Sequence, residues 1–223
     1  MREIVLDTET TGLNPKSGDR IVEIGCVEIV NQVATGEIYH QYINPQRDMP
    51  EGAFSIHGLS AEFLADKPVF ADIADALLAF VGSARLVIHN AEFDMNFLNW
   101  ELEAMGREPL SMDRVTDTMR MARKKFPGAL ASLDALCKRF QIDNSNRQLH
   151  GALLDSRLLA DVYLELIGGR QRGLSFAGQH ASSEIAAEAP KADRLARPHA
   201  ASADELAAHK VFVKKISNTV WES

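Results

Sequence analysis

The segment Arg2-Glu-Ile-Val-Leu-Asp-Thr-Glu9 is a β-branched and aliphatic run that ends in two carboxylates two residues apart. Such a run reads as a buried strand, and side chains at i and i+2 of a strand share a face. Asp7 and Glu9 therefore open into one pocket. Two like charges that close resist ionisation unless a cation neutralises them. An all-carboxylate donor set suits hard ions such as Mg²⁺ or Mn²⁺ rather than zinc. Alone, an Asp-x-Glu pair reads as readily as a surface or capping feature. Its sequel, Thr10-Thr11-Gly12, is a sharp strand exit with free amides and hydroxyls suited to a nucleotide's sugar and phosphate. Leu13 follows as a wedge against a base.

Two further motifs carry compatible chemistry. His89-Asn90-Ala-Glu-Phe93-Asp94 follows the short apolar strand Arg85-Leu-Val-Ile-His89 and opens an amphipathic helix over 91–105. Asp94 then lies in the first helical turn beside a strand end, where open sheets place ligands, although a carboxylate there also complements the helix dipole. Asn90 is a substrate contact or simply an N-cap. The third motif is His150 with Asp155 five positions on, ahead of and within a helix patterned over 151–167. Residues five apart on a helix diverge by about 140°, whereas i+3 and i+4 share a face. His150 meets Asp155 only from a loop ahead of the helix, as a movable base and not a fixed ligand.

In this order the three motifs resemble the DnaQ-like, or DEDD, family of 3′→5′ exonucleases, in the subclass whose base is histidine. The resemblance spans residues 1 to about 168, including Phe54-Ser-Ile-His-Gly-Leu59 and the 125–137 segment. It implies that Asp7, Glu9, Asp94 and Asp155 bind two divalent cations, Mg or Mn, with His150 as general base. It also implies that His57 and the turn from Thr10 to Leu13 contact the terminal nucleotide of a DNA 3′ end.

Composition fits these expectations. The chain has 223 residues, 46% hydrophobic and 25% charged, as in a soluble protein with one main domain and an appendage. No apolar run is long enough to span a bilayer and no signal peptide is visible, so no membrane partner is expected. Cys26 and Cys137 have no local spacing motif and read as reduced core thiols of a cytoplasmic protein. Residues 1–169 hold 16 Lys+Arg against 25 Asp+Glu, a net −9, whereas 170–223 hold 8 against 6, a net +2. A protein that grips long duplex DNA by itself needs many cationic phosphate contacts. This one is expected to hold a few nucleotides and to rely on a partner for processivity.

Three closely spaced strands, near 2–9, 20–30 and 38–43, read as an antiparallel meander. Helices are expected over 69–81, 91–105, 130–139 and 151–167, with a short strand at Val115-Thr-Asp-Thr118 passing into a helix that ends near Lys125. Asp117 reads as a cap and Asp161 as a helix-surface group. The fold class is α/β, and the resemblance implies a ribonuclease H-like mixed five-stranded sheet flanked by helices, over residues 1–170.

The remainder divides into three parts. Gln171-Arg-Gly-Leu174-Ser-Phe176 has the Q-x-x-L-x-F spacing of a sliding-clamp-binding motif, or is a helix exit folded back on the domain. Residues 177–202 are Ala, Ser, Pro and small charges, too poor in apolar surface to fold alone. As a flexible tether they reach roughly 25–30 Å. Residues 203–223 regain an apolar cluster with Phe212 and Trp221, a segment that packs onto its own domain or docks on a partner, which the resemblance implies is the catalytic (alpha) subunit of a polymerase. The whole reads as a proofreading 3′→5′ exodeoxyribonuclease releasing nucleoside 5′-monophosphates. A 3′→5′ exoribonuclease trimming RNA ends and a non-catalytic replisome tether are the rivals.

Overall fold

Alternation along the first strand sorts the residues into two layers. In the computed structural model, which describes residues 1–147, 149–168 and 200–215, β1 (Arg2–Thr10) sends Ile4 and Leu6 into one core and Val5 into another, all three fully buried. A strand apolar on both faces belongs inside a sheet covered on both sides. The sheet order is β3-β2-β1-β4-β5, so β1 is central. β2 (Ile21–Val30) and β3 (Val33–Tyr42) complete the antiparallel meander with β1. β4 (Arg85–Ile88) lies parallel to β1, and β5 (Val115–Asp117) parallel to β4. This is the mixed five-stranded sheet that the family resemblance implies.

Helices α1 (Glu51–His57), α2 (Ala61–Leu64), α3 (Phe70–Val81) and α4 (Ala91–Ala104) precede β5, and α5 (Thr118–Lys125), α6 (Leu133–Phe140) and α7 (Ala152–Leu166) follow it. Phe70 and Leu77 of α3 and Phe97 and Leu98 of α4 pack with Ile4 and Leu6. Leu136 of α6 and Leu159 and Val162 of α7 pack with Val5 on the opposite face. Asp117 caps α5 as expected, its side chain accepting from the Met119 and Arg120 amides.

One close approach positions the second layer. Gly25 of β2 is the ladder partner of Asp7, and a Cβ there would lie 2.3 Å from the Ala152 carbonyl carbon. Only glycine lets the start of α7 rest on the strand. The Ser156 hydroxyl then donates to the Gly25 carbonyl at 2.8 Å. The first turn of α7, with Asp155, is thereby held over the end of β1.

The structure departs from the sequence reading in several places. α1 and α2 were not anticipated. They are short, with an αL Gly58 (φ 73°) ending one and Ser60 capping the other, and so carry too few turns for a 3.6-residue period to show. α6 starts at Leu133 because Ser132 caps it, accepting from the Ala135 amide. β3 begins at Val33, earlier than its apolar residues suggest, because pairing with β2 and not burial extends this edge strand. Gln171, Leu174 and Phe176, the 177–199 part of the tether and Trp221 lie outside the described residues. α8 (Ala203–Val213), described by itself, has a capping box between Ser202 and Glu205. Its Leu206, Val211 and Phe212 are exposed. At about 100° per residue these three project around the helix rather than along one stripe.

Candidate active site

Asp7 and Glu9 sit on the same side of β1 as Val5, facing α7, and the β1–β2 register breaks just after Glu9. The strand therefore delivers both carboxylates where its ladder ends. Asp94 comes from the other layer. Asn90 stands at the N-cap position of α4 in the left-handed region (φ 62°) and makes no side-chain cap bond. A short polar residue tolerates that conformation, and the turn it makes brings Asp94 back to β1. There the Asp94 Oδ1 accepts from the Thr8 amide at 3.0 Å and the Thr8 hydroxyl at 2.8 Å. Asp155 enters from the first turn of α7, and both Asp94 and Asp155 are only 3% exposed.

His150 lies off the helix, in the loop ahead of α7, whose N-cap is Gly151. Its amide donates to the Ile56 carbonyl at 2.9 Å, which pins the loop to α1. Its Nδ1 is 3.6 Å from Asp155 Oδ2, and the ring is 46% exposed. One ligand atom each from Glu9, His150 and Asp155 lie within 4.8 Å of one another, a spacing a metal ion can bridge.

The sequence reading missed Arg147. Its guanidinium grips Asp155 through two bonds, Nε to Oδ1 at 2.6 Å and Nη2 to Oδ2 at 2.7 Å. Nη1 reaches Asp134 at 2.8 Å, and Nη2 approaches His150 Nδ1 at 3.1 Å. A single loop arginine carries no periodic signal. Only the excess of acids near the site hinted at a counter-charge.

The electrostatics are those of a crowded acidic pocket. Burial, then the charges of Asp155, Glu23 and Asp94, push Glu9 up to about 8, with Arg147 opposing. Burial pushes Asp94 up to about 7, and its bonds to Thr8 hold it lower than burial alone would. Asp7 rises well above the usual carboxylate range, through burial and then the charges of Asp94, Glu9 and Asp155. Full ionisation of this cluster calls for cations at its centre. The donor set of four carboxylates fits hard divalent ions, so Asp7, Glu9, Asp94 and Asp155 are suited to hold them.

Two cavities meet here. One of about 410 Å³ is lined by the four carboxylates with Asn90, Arg147 and His150. The other, of about 450 Å³, is lined by Thr8 to Leu13, Pro50, Gly52, Ala53, Ile56, His57 and Phe93. Leu13 and Phe93 line both, and Leu13 is 83% exposed. His57 is buried, its Nδ1 accepting from the Leu59 amide at 3.0 Å, while its Nε2 has no partner. Contrary to the sequence reading, the hydroxyls of the Thr10-Thr11-Gly12 turn are not free: Thr10 Oγ1 donates to the Gly12 carbonyl at 2.6 Å, and Thr11 Oγ1 accepts from the Arg20 amide at 3.0 Å. The turn uses them to fold itself. The cavity wall from α1, including Ala53 and Ile56, was also unforeseen, because the helix carrying it was.

The family model described as "Exonuclease" matches residues 4–163. The chain belongs to this exonuclease family. It is 50% identical over 228 residues, 98% of both chains, to DNA polymerase III subunit epsilon of Rickettsia felis. It is 43% identical over 239 residues to the protein of that name from Escherichia coli, covering 100% of this chain and 98% of the relative. Among solved structures, exonuclease X in complex with 5′ overhanging duplex DNA aligns with a TM-score of 0.59 and 28% identity, over 74% of this chain and 90% of that one. The nuclease domain of 3′hExo, a DEDDh family member bound to rAMP, shares the fold with a TM-score of 0.65 at 16% identity, over 74% of this chain and 91% of that one. The exonuclease is thus a metal-dependent enzyme acting in the 3′→5′ direction.

Proposed function

We propose that this exonuclease proofreads for a replicative DNA polymerase, removing mispaired nucleotides from DNA 3′ ends. One observation carries the reading. Four carboxylates and His150 converge beside an apolar cavity of nucleotide size, in a chain alike over nearly its whole length to relatives named polymerase III subunit epsilon. Asp7, Glu9, Asp94 and Asp155 would hold two divalent cations, Mg²⁺ or Mn²⁺, which when bound help generate hydroxide and neutralise the leaving 3′ oxygen. The side chains divide the remaining work. The apolar cavity receives the terminal nucleoside, with Leu13 and Phe93 at its boundary and His57 in its wall. Asn90 lines the polar side. His150 takes the proton of the attacking water at Nδ1, the nitrogen nearer Asp155, and its exposed ring returns that proton to solvent. The P–O3′ bond breaks and a nucleoside 5′-monophosphate leaves. Mispairs are favoured because a frayed end reaches a single-strand pocket at lower cost than a paired one.

The C-terminal parts extend the proposal. Residues 203–223, with Phe212 and Trp221, dock on the polymerase catalytic subunit, residues 177–202 tether, and Gln171, Leu174 and Phe176 engage the sliding clamp, all in the cytoplasm. Among the described residues no helix is long and apolar enough to cross a membrane. The decisive assay compares digestion of 3′-mismatched DNA, matched DNA and RNA, with and without Mg²⁺. Preference for the mismatched DNA is expected, and faster digestion of RNA would overturn the reading. Deleting 203–223 should lower polymerase co-purification more than tenfold, the usual loss of an aromatic hot spot being about 2 kcal/mol or more. An undiminished yield would refute the docking role.

A further inference from the structure

We propose that Arg147 is a displaceable counter-ion: it holds Asp155 and the inward nitrogen of His150 until divalent cations, competing for Asp155, drive its guanidinium off both. The inference rests on the reading of Asp155 as a metal ligand and His150 as the base. Among the described residues lining the carboxylate cavity, Arg147 is the sole lysine or arginine, against Asp7, Glu9, Asp94, Asp134 and Asp155. Its side chain is only 7% exposed, so its charge acts with little screening by water.

The bonding pattern assigns the role. Both oxygens of Asp155 lie in the guanidinium fork, at 2.6 and 2.7 Å, the geometry of a bidentate charge-assisted pair. A dication drawn to Asp155 must share or break that fork, and it repels the guanidinium beside it. The third contact concerns the base. Arginine nitrogens only donate, so at 3.1 Å from Nη2 the His150 Nδ1 must be the acceptor. A neutral imidazole has a single acceptor nitrogen. The lone pair that would receive the water's proton is therefore occupied while Arg147 stays in place.

The exit path is also present. Arg147 Nη1 is bonded at 2.8 Å to Asp134, which is 58% exposed at the cavity rim. A pivot about Asp134 carries the guanidinium outward without moving α7. Arg147 itself lies in a loop, its amide donating to the Asn144 carbonyl at 3.0 Å, so its backbone belongs to no helix or strand and its side chain is held by its polar contacts. Filling the metal site and uncovering the base thus become one event. Water is deprotonated only when the groups that stabilise the leaving oxygen are in position.

The test uses the full-length protein and two binding readouts. Free Mn²⁺ is measured by electron paramagnetic resonance during titration of wild type, Arg147→Met and Arg147→Lys at one ionic strength. Removing the competitor should tighten Mn²⁺ binding by about threefold or more in Arg147→Met, with Arg147→Lys between it and wild type. In parallel, the Nε–H resonance of Arg147 in ¹⁵N-arginine-labelled wild type, assigned by its loss in Arg147→Lys, should move during Mg²⁺ titration with the midpoint of metal binding. Unchanged or weaker Mn²⁺ affinity in Arg147→Met overturns the proposal, as does a resonance indifferent to Mg²⁺. If Arg147→Met does not fold, the wild-type resonance decides. Failure of wild type to bind Mn²⁺ at all would instead reject the metal assignment beneath it.

Discussion

Asp7, Glu9 and Asp94 take their positions from the core, whereas His150 and Arg147 take theirs from a loop. The first group hangs on a central strand and on a helix whose Leu98 and Leu102 are fully buried, and Asp94 is bonded directly to that strand. The second group rests on backbone bonds to Ile56 and Asn144 and on ion pairs with Asp134 and Asp155. Asp155 belongs to both, since its helix is packed on Gly25 while its oxygens face the loop. Groups that must hold still are built into the sheet, and groups that must move a proton or yield their place stand where motion is cheap.

Replacing the core-borne carboxylates should have the largest effect. Asp7→Asn, Glu9→Gln, Asp94→Asn or Asp155→Asn each should lower turnover by more than about 10³-fold, since each withdraws a donor from sites worth several kcal/mol of transition-state stabilisation. The variants should still fold, because losing a like charge relieves repulsion. Turnover within tenfold of wild type at saturating Mg²⁺ would remove that residue from the metal-binding set. His150→Ala comes next, with a loss of about 10²–10⁴-fold, the usual worth of a positioned base. Mn²⁺ affinity should stay close to that of wild type. If it falls with turnover, the loop residue is a ligand and the contrast between the two halves is wrong.

A smaller effect should appear in stability against pH. Glu9 and Asp94 ordinarily titrate near 4.5 and 3.8 and are pushed up to about 8 and about 7 in the fold. The folded chain therefore binds protons that the unfolded chain has released. The stability this lends is fully present below the unfolded values and is lost as pH rises through about 7 and 8. In chelator, the melting temperature at pH 8.5 should lie below that at pH 6 by about 6–12 °C, a few kcal/mol in a domain of this size. Mg²⁺ should restore it at pH 8.5, and Glu9→Gln should flatten the profile. A flat wild-type profile in chelator would mean that the acids are already compensated, by Arg147 or by solvent.

Legibility in the sequence follows the same divide. Asp7 and Glu9 could be read because a strand's period of two puts them on one face whatever the fold around them. His150 could be placed off its helix because a five-residue spacing forbids convergence on it. Neither argument needs a tertiary contact. Arg147 could not be read, since its role comes from Asp134 and Asp155, thirteen residues before it and eight after, on two different helices. The hydroxyls of Thr10 and Thr11 looked available for the opposite reason: local bonds to Gly12 and Arg20 consume them, and composition does not show which turn a Thr-Thr-Gly segment makes. Gly25, which lets α7 close on the sheet, looked like any glycine in a strand.

The smallest expected effect probes how Asp94 is tied to the core. Its Oδ1 accepts two bonds from Thr8, one from the backbone and one from a hydroxyl that is itself buried. Thr8→Val keeps the backbone bond and nearly the same shape, so the sheet should form as before. What goes is one hydrogen bond to a carboxylate, worth roughly 1.5–3 kcal/mol for a charged partner. The Asp94 carboxyl should then titrate higher still, because the Thr8 hydroxyl makes the largest of the bonds that oppose its burial. More of it is protonated near neutral pH, and a protonated carboxyl is a poorer ligand. The Mg²⁺ concentration for half-maximal digestion at pH 7 should rise by about three- to tenfold, and the gap should narrow by pH 8.5, where Asp94 ionises in both proteins. Equal Mg²⁺ requirements at pH 7 would show that the helix alone positions Asp94. A gap that persists undiminished at pH 8.5 would show that the hydroxyl acts on geometry and not on charge.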